Sequence, residues 1–147
     1  MFPTLHRHAA ALFTALLLTA GLAEAGPTLS PPEAHDQAKA GTLTLIDIRT
    51  PAEWRETGVP DGAIRITLPG PQGADSFAAA ALAHSHGDHE APIALICRSG
   101  NRSTFLQQQL EARGFTHVYN VQEGVAGGAA GPGWIKRGLP IVTCKDC

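Results

Sequence analysis

Charge of one sign is what the chain lacks most: 11 Lys and Arg stand against 13 Asp and Glu, and the basic residues form no long run. Without a basic patch there is little to grip a phosphate backbone, so nucleic acid is not an expected partner. Long apolar runs are also missing once the first 25 residues are set aside, so no part of the remainder is expected to span a membrane. Cysteine is scarce, with Cys97, Cys144 and Cys147 alone. In an oxidising compartment an odd number leaves at least one thiol without a partner in the chain.

The first 25 residues read as an address. Met1 to His8 carries Arg7 and two histidines, Ala9 to Leu22 is almost wholly apolar, and Ala23-Glu24-Ala25 supplies a small-x-small pattern before Gly26. These are the three regions of a secretory signal, with cleavage expected after Ala25. The apolar stretch is shorter than the ~20 residues a spanning helix needs. An exported chain of 147 − 25 = 122 residues follows, enough for one domain with a core. In a bacterium its compartment is the periplasm. Residues 26–143 then form the domain and residues 144–147 a Cys-x-x-Cys tail.

What is present is organised around Pro92 to Ser103, P-I-A-L-I-C-R-S-G-N-R-S. Ile93 to Ile96 is a short apolar run after a proline, the pattern of a strand buried on both faces, and it puts Cys97 at the strand's carboxyl end. From Ser103 to Arg113 a helical spacing brings Leu106 and Leu110 to one face. The loop of Arg98, Ser99, Gly100, Asn101 and Arg102 is thus expected at a helix N-terminus, where backbone N–H groups lack partners and attract anions. Such donors, with two arginines, favour the thiolate of Cys97, its nucleophilic form. They also suit an anionic substrate.

Around this centre the chain alternates. Ser30-Pro31-Pro32-Glu33 is a capping box opening a helix to about Ala40. Leu43 to Ile48 is a strand ending at Asp47 and Arg49, Pro51 to Glu56 a short helix, Gly58 to Gly62 a turn and Ala63 to Leu68 a second strand. Pro69-Gly70-Pro71 breaks the chain before a helix over Asp75 to Ala83. His84 to Glu90 is a polar loop, Thr116 to Val121 a further strand, and Trp134 to Gly138 a helical turn. Trp54 and Trp134 are expected in or beside the core. Strands alternating with helices predict an α/β fold with a central, mostly parallel sheet flanked by helices on both faces, and ligands beyond the strands' carboxyl ends.

The chain resembles single-domain rhodaneses, thiosulfate sulfurtransferase-like proteins. The matching stretches are D-I-R-T-P-A-E-W from Asp47, G-V-P-D-G-A from Gly58, C-R-S-G-N-R-S from Cys97, and the G-F, E-G, W and G-L-P near Gly114, Gly124, Trp134 and Gly138. Cysteine, four residues and arginine is the family's loop length, whereas related phosphatases carry one residue more. The family often has His-Ile where Val59-Pro60 stands here. The resemblance implies a rhodanese-like three-layer fold and a Cys97 persulfide that takes sulfur from thiosulfate or a similar donor and passes it to cyanide or a thiol, without a cofactor. It implies that the amides of Arg98 to Arg102 hold the terminal sulfur and that Arg98 faces substrate. Arg102 either faces the anion or braces the loop against a carboxylate. Asp47 and Arg49 match a family pair expected to be structural, with Ser103 beside the site. The alternative is a sulfur carrier that depends on a partner and turns over poorly on free thiosulfate.

Two features compete for attention. His84-Ser85-His86-Gly87-Asp88-His89 has the H-x-H-x-D-H pattern that binds zinc in the metallo-β-lactamase superfamily, with His84, His86, Asp88 and His89 as the ligand types. That superfamily needs a longer chain with further distant ligands, so a surface loop without a resident metal is expected. Cys144-Lys145-Asp146-Cys147 is read either as a local disulfide, as a redox-active thiol relay that accepts sulfur from Cys97 or exchanges with a thiol-redox protein partner, or as half a metal site completed by another chain.

Overall fold

The computed structural model describes residues 26–147. The signal-like segment 1–25 lies outside the described residues. Helix α1 (Pro31–Lys39) and helix α2 (Pro51–Thr57) both begin with a proline in the first turn and a complete capping box, Ser30 with Glu33 and Thr50 with Glu53. Each box pairs backbone N–H groups that a helix start leaves without partners. Strands β1 (Thr44–Asp47), β2 (Val59–Pro60) and β3 (Ile64–Arg65) alternate with them. Then come α3 (Ala74–His84), β4 (Ile93–Ile96), α4 (Asn101–Glu111), β5 (Val118–Asn120), α5 (Gly133–Lys136) and β6 (Ile141–Val142).

The main sheet runs β3-β1-β4-β5, and every pairing in it is parallel. Side chains on alternate strand positions face opposite layers. Ile46, Ile93 and Leu95 point toward α3 and α4, where Phe77, Leu106 and Leu110 are buried with them. Leu45, Ala94 and Ile96 point the other way, toward Ala34 of α1 and Trp134 of α5. This is the three-layer α/β arrangement that the alternation of strands and helices predicts. The cores explain why β4 reads as continuously apolar: all four of its residues are buried, with a helical layer on each side.

Several boundaries differ from the sequence reading, among them the strand expected over Ala63 to Leu68, which narrows to Ile64–Arg65. Gly58 to Gly62 is more than a turn, because Val59 and Pro60 pair antiparallel with Val142 and Ile141 in a separate two-stranded ribbon. Proline is tolerated there because the pairing has an edge that does not need its missing N–H. Helix α4 starts two residues earlier than Ser103, with Gly100 as its N-cap in the left-handed region at φ 96°. Arg102 therefore belongs to the first helical turn, not to the loop before it. No helix among the described residues is long and apolar enough to cross a membrane.

Candidate active site

Cys97 follows the last residue of β4 and is buried, 1% exposed, at the carboxyl edge of the sheet. Its backbone is fixed from below by the segment after β5: Val125 N–H donates to the Cys97 carbonyl and Ala126 N–H to the Arg98 carbonyl, both at 2.9 Å. The contact is so close that a Cβ on Gly124 would lie 2.4 Å from the Arg98 carbonyl oxygen. A Cβ on Gly100 would lie 2.1 Å from the Gln122 carbonyl oxygen, and its φ already asks for glycine. Glycine at both places lets two backbone segments touch.

The sulfur is held by what the loop turns inward. Gly100 N–H donates to Cys97 Sγ at 3.1 Å. The Ser103 hydroxyl, fully buried, lies 3.4 Å from the same sulfur and donates to the Gly100 carbonyl at 3.0 Å. The anion cradle expected over Arg98 to Arg102 is thus centred on the Gly100 amide, with Ser103 supplying a hydroxyl from inside α4. Ser99 and Asn101 lie outside this contact, together with Gly100 and Thr104 on the wall of a groove of about 290 Å³.

The two arginines separate. Arg98 is exposed and lines a cleft of about 80 Å³ with Glu53, Glu56, Thr57 and Val125. Arg102 turns to Glu53 instead, donating from both terminal nitrogens at 2.9 and 2.5 Å. Of the two readings that the sequence leaves open for Arg102, this contact has the geometry of a brace against a carboxylate. The Arg102 hydrogen bonds hold the Glu53 carboxyl far below its ordinary range, at about 2, against the opposing effect of partial burial. The Arg102 guanidinium is correspondingly pushed up.

Glu53 went unnoticed in the sequence, though a signal was there. Thr50-Pro51-Ala52-Glu53 is a capping box, and Glu53 accepts from the Thr50 N–H at 2.9 Å while also holding Arg102. The box marks the residue; nothing local marks its second partner, 49 positions away.

Asp47 and Arg49 form a buried ion pair at 2.7 Å at the end of β1. Arg49 also donates to the Thr57 hydroxyl and the Gly58 carbonyl, both at 2.7 Å, so its fork is occupied by α2 and the turn after it. A buried charge of this kind must be fully paired, and this one is. It sets where α2 begins and ends, and hence where Glu53 meets Arg102.

The other sequence features lie away from Cys97. His89 packs its ring against Phe115 at 4.9 Å, the Asp88 carboxylate accepts from the Glu90 N–H at 2.8 Å, and His86 sits in a left-handed turn. These contacts turn the H-x-H-x-D-H residues apart, and no cluster of three or more His, Cys, Asp or Glu suited to a metal forms among the described residues. Cys144 and Cys147 are joined as a disulfide, and Cys97 is the free cysteine.

The family model of the rhodanese-like domain matches residues 30–130. The chain belongs to the rhodanese-like family. It is 31% identical over 101 residues to a sulfurtransferase of Allochromatium vinosum, covering 69% of this chain and 79% of that one. The polysulfide-sulfur transferase homodimer of Wolinella succinogenes superposes with a TM-score of 0.59 at 27% identity, over 79% of this chain and 77% of that one. A protein of M. tuberculosis superposes at 0.62 with 29% identity, over 82% of this chain and all of its own. The three-layer fold with a parallel four-stranded sheet is the rhodanese-like fold.

Proposed function

We propose that this rhodanese-like domain is a sulfurtransferase working through a Cys97 persulfide. The observation that carries it is the free, buried Cys97 sulfur accepting a hydrogen bond from the Gly100 N–H at the opening of α4. In the first step the Cys97 thiolate attacks the outer sulfur of thiosulfate or a similar donor. The donor S–S bond breaks, sulfite leaves with its electron pair, and Cys97 carries a terminal sulfur. In the second step cyanide or a thiolate takes that sulfur, and Cys97 leaves as the thiolate. The negative charge on the terminal sulfur is met by the loop's amides, as an oxyanion is met by preset donors, while the Ser103 hydroxyl beside it donates to the Gly100 carbonyl and holds the loop's turn. Arg98 is the cation free to face the donor, Ser99 and Asn101 shape the loop wall, and Arg102 holds the loop through Glu53. Asp47 and Arg49 keep α2 in place. No cofactor is required by these steps.

One observation favours the second reading, a carrier that receives sulfur from a partner. Glu56 lines the same cleft as Arg98, and its carboxylate opposes a dianion such as thiosulfate more than it opposes a persulfide, which carries a single negative charge. We place either chemistry in the periplasm, on the reading of residues 1–25 as a cleaved signal.

Intact mass after incubation with thiosulfate separates the two. The enzyme reading expects one added sulfur in wild type, none in Cys97→Ser, and thiocyanate on adding cyanide. An adduct seen only with a persulfidated protein donor moves the assignment to the carrier; no adduct with either donor removes both.

A further inference from the structure

The tail disulfide has the marks of a second chemical site. The loop that the Cys144–Cys147 bond closes contains only Lys145 and Asp146, both exposed, and no element of the fold. As a staple it holds nothing together. Yet the tail is not loose: β6 pairs with β2, and the Cys147 carbonyl accepts from the Arg55 guanidinium. This fixes both sulfurs over Arg65, whose Nη1 lies 2.8 Å from Cys144 Sγ and 2.6 Å from Cys147 Sγ. Arg65 is held in turn over the Trp54 ring, 5.6 Å from its centroid. Beside them opens a cavity of about 310 Å³ lined by Val59, Pro60, Ala63, Arg65, Val142 and Cys144.

A guanidinium has little to gain from a neutral disulfide and much from a thiolate. Placed against both sulfurs, it stabilises the reduced pair relative to the oxidised one and eases the departure of whichever sulfur leaves. We propose that Cys144 and Cys147, beside the β2–β6 ribbon, are a thiol-disulfide exchange site poised by Arg65, whose partner is a dithiol. A thiolate of the partner attacks one tail sulfur, and the pair of electrons in the S–S bond goes to the other, which leaves as a thiolate facing Arg65. The partner's second thiolate then breaks the mixed disulfide. Two electrons pass to the tail, the two protons released by the partner's thiols end on Cys144 and Cys147, and the partner is left as a disulfide. This chemistry does not involve Cys97, so it stands or falls apart from the sulfur-transfer reading.

Dithiothreitol serves as the dithiol probe, in the full mature chain carrying Cys97→Ser so that the tail supplies the only thiols. The protein is equilibrated across ratios of reduced to oxidised dithiothreitol, trapped with an alkylating reagent and weighed to count free thiols. Arg65→Gln is expected to require a ratio roughly three- to tenfold more reducing for half-reduction, and to be reduced more slowly. Arg65→Lys keeps the charge and is expected to return most of the shift. An unchanged midpoint and rate in Arg65→Gln overturns the proposal. Equal displacement in Gln and Lys overturns it too, since that outcome traces the effect to packing on Trp54 rather than to charge; circular dichroism of both variants identifies any that fail to fold.

Discussion

Cys97 and the Cys144–Cys147 pair both lie beside arginine, yet the molecule surrounds them in opposite ways. Cys97 is enclosed mainly by backbone: β4 beneath it, the Gly124–Val125 segment against the loop, and the Gly100 amide on its sulfur, with the buried Ser103 hydroxyl 3.4 Å away. The tail cysteines are partly exposed, and among the described residues their sulfurs are met by the Arg65 guanidinium, from a strand 79 residues before Cys144. An environment made of backbone cannot be adjusted by one substitution without moving the chain, whereas an environment made of one guanidinium can. Such a contrast suits a sulfur that must be presented the same way in every turnover and a pair that answers to its surroundings.

The comparison breaks first at the nucleophile. Cys97→Ser is expected to lower sulfur transfer by at least about three orders of magnitude, because the other two cysteines are joined as a disulfide and Cys97 is the free thiol that can carry the covalent step. Cys144→Ser with Cys147→Ser is expected to leave thiosulfate turnover within about twofold, since the tail contributes nothing to the Cys97 cradle. Initial rates of thiocyanate formation read both. A tail double variant as slow as Cys97→Ser would mean the two sites are one pathway.

The glycines set how rigid the enclosure of Cys97 is. Gly100→Ala forces a Cβ to within 2.1 Å of the Gln122 carbonyl at a φ of 96°, and is expected to destabilise the fold by about 2–4 kcal/mol, combining left-handed strain with overpacking. Gly138→Ala also has a positive φ but nothing within 4 Å of the added carbon. It is expected to cost about 1 kcal/mol, the strain alone. Urea unfolding of the pair checks the difference; equal losses would show that the loop yields and that its enclosure is not rigid.

What could be read from the chain follows the same division. The strand-end position of Cys97 was legible because burial on both faces leaves an uninterrupted apolar run, and the loop was legible because a left-handed residue that touches backbone has to be glycine. The capping box at Ser30 announced α1 for a similarly local reason. Arg102 with Glu53, Arg65 with the tail sulfurs, and β2 with β6 were not legible, since each joins residues far apart whose local sequence says nothing of the partner. Val59-Pro60 read as turn because two residues are too few to show a period. The H-x-H-x-D-H pattern has the spacing of ligands in a segment read as a surface loop, and there His89 packs its ring on Phe115 while the Asp88 carboxylate accepts from the Glu90 N–H in a turn.

The smallest expected effect sharpens the middle ground between the two sites, where a side-chain pair braces the backbone. Glu53 is drawn down to about 2 chiefly by Arg102, so the folded protein holds this carboxyl ionised at pH values where the unfolded chain has begun to protonate it. Its contribution to stability is therefore complete above the ordinary carboxylate value of 4.5 and is lost as pH falls from there toward 2. Glu53→Gln keeps an acceptor for the Thr50 N–H but removes the charge. It is expected to cost about 1 kcal/mol near neutrality, a modest figure because both partners are partly open to solvent. The gap to wild type should close between pH 4.5 and 2, and urea midpoints at a series of pH values would show it. A gap that stays constant across that range would mean that the brace is steric. In that case Arg102 positions the loop by packing, and its charge is available to the substrate after all.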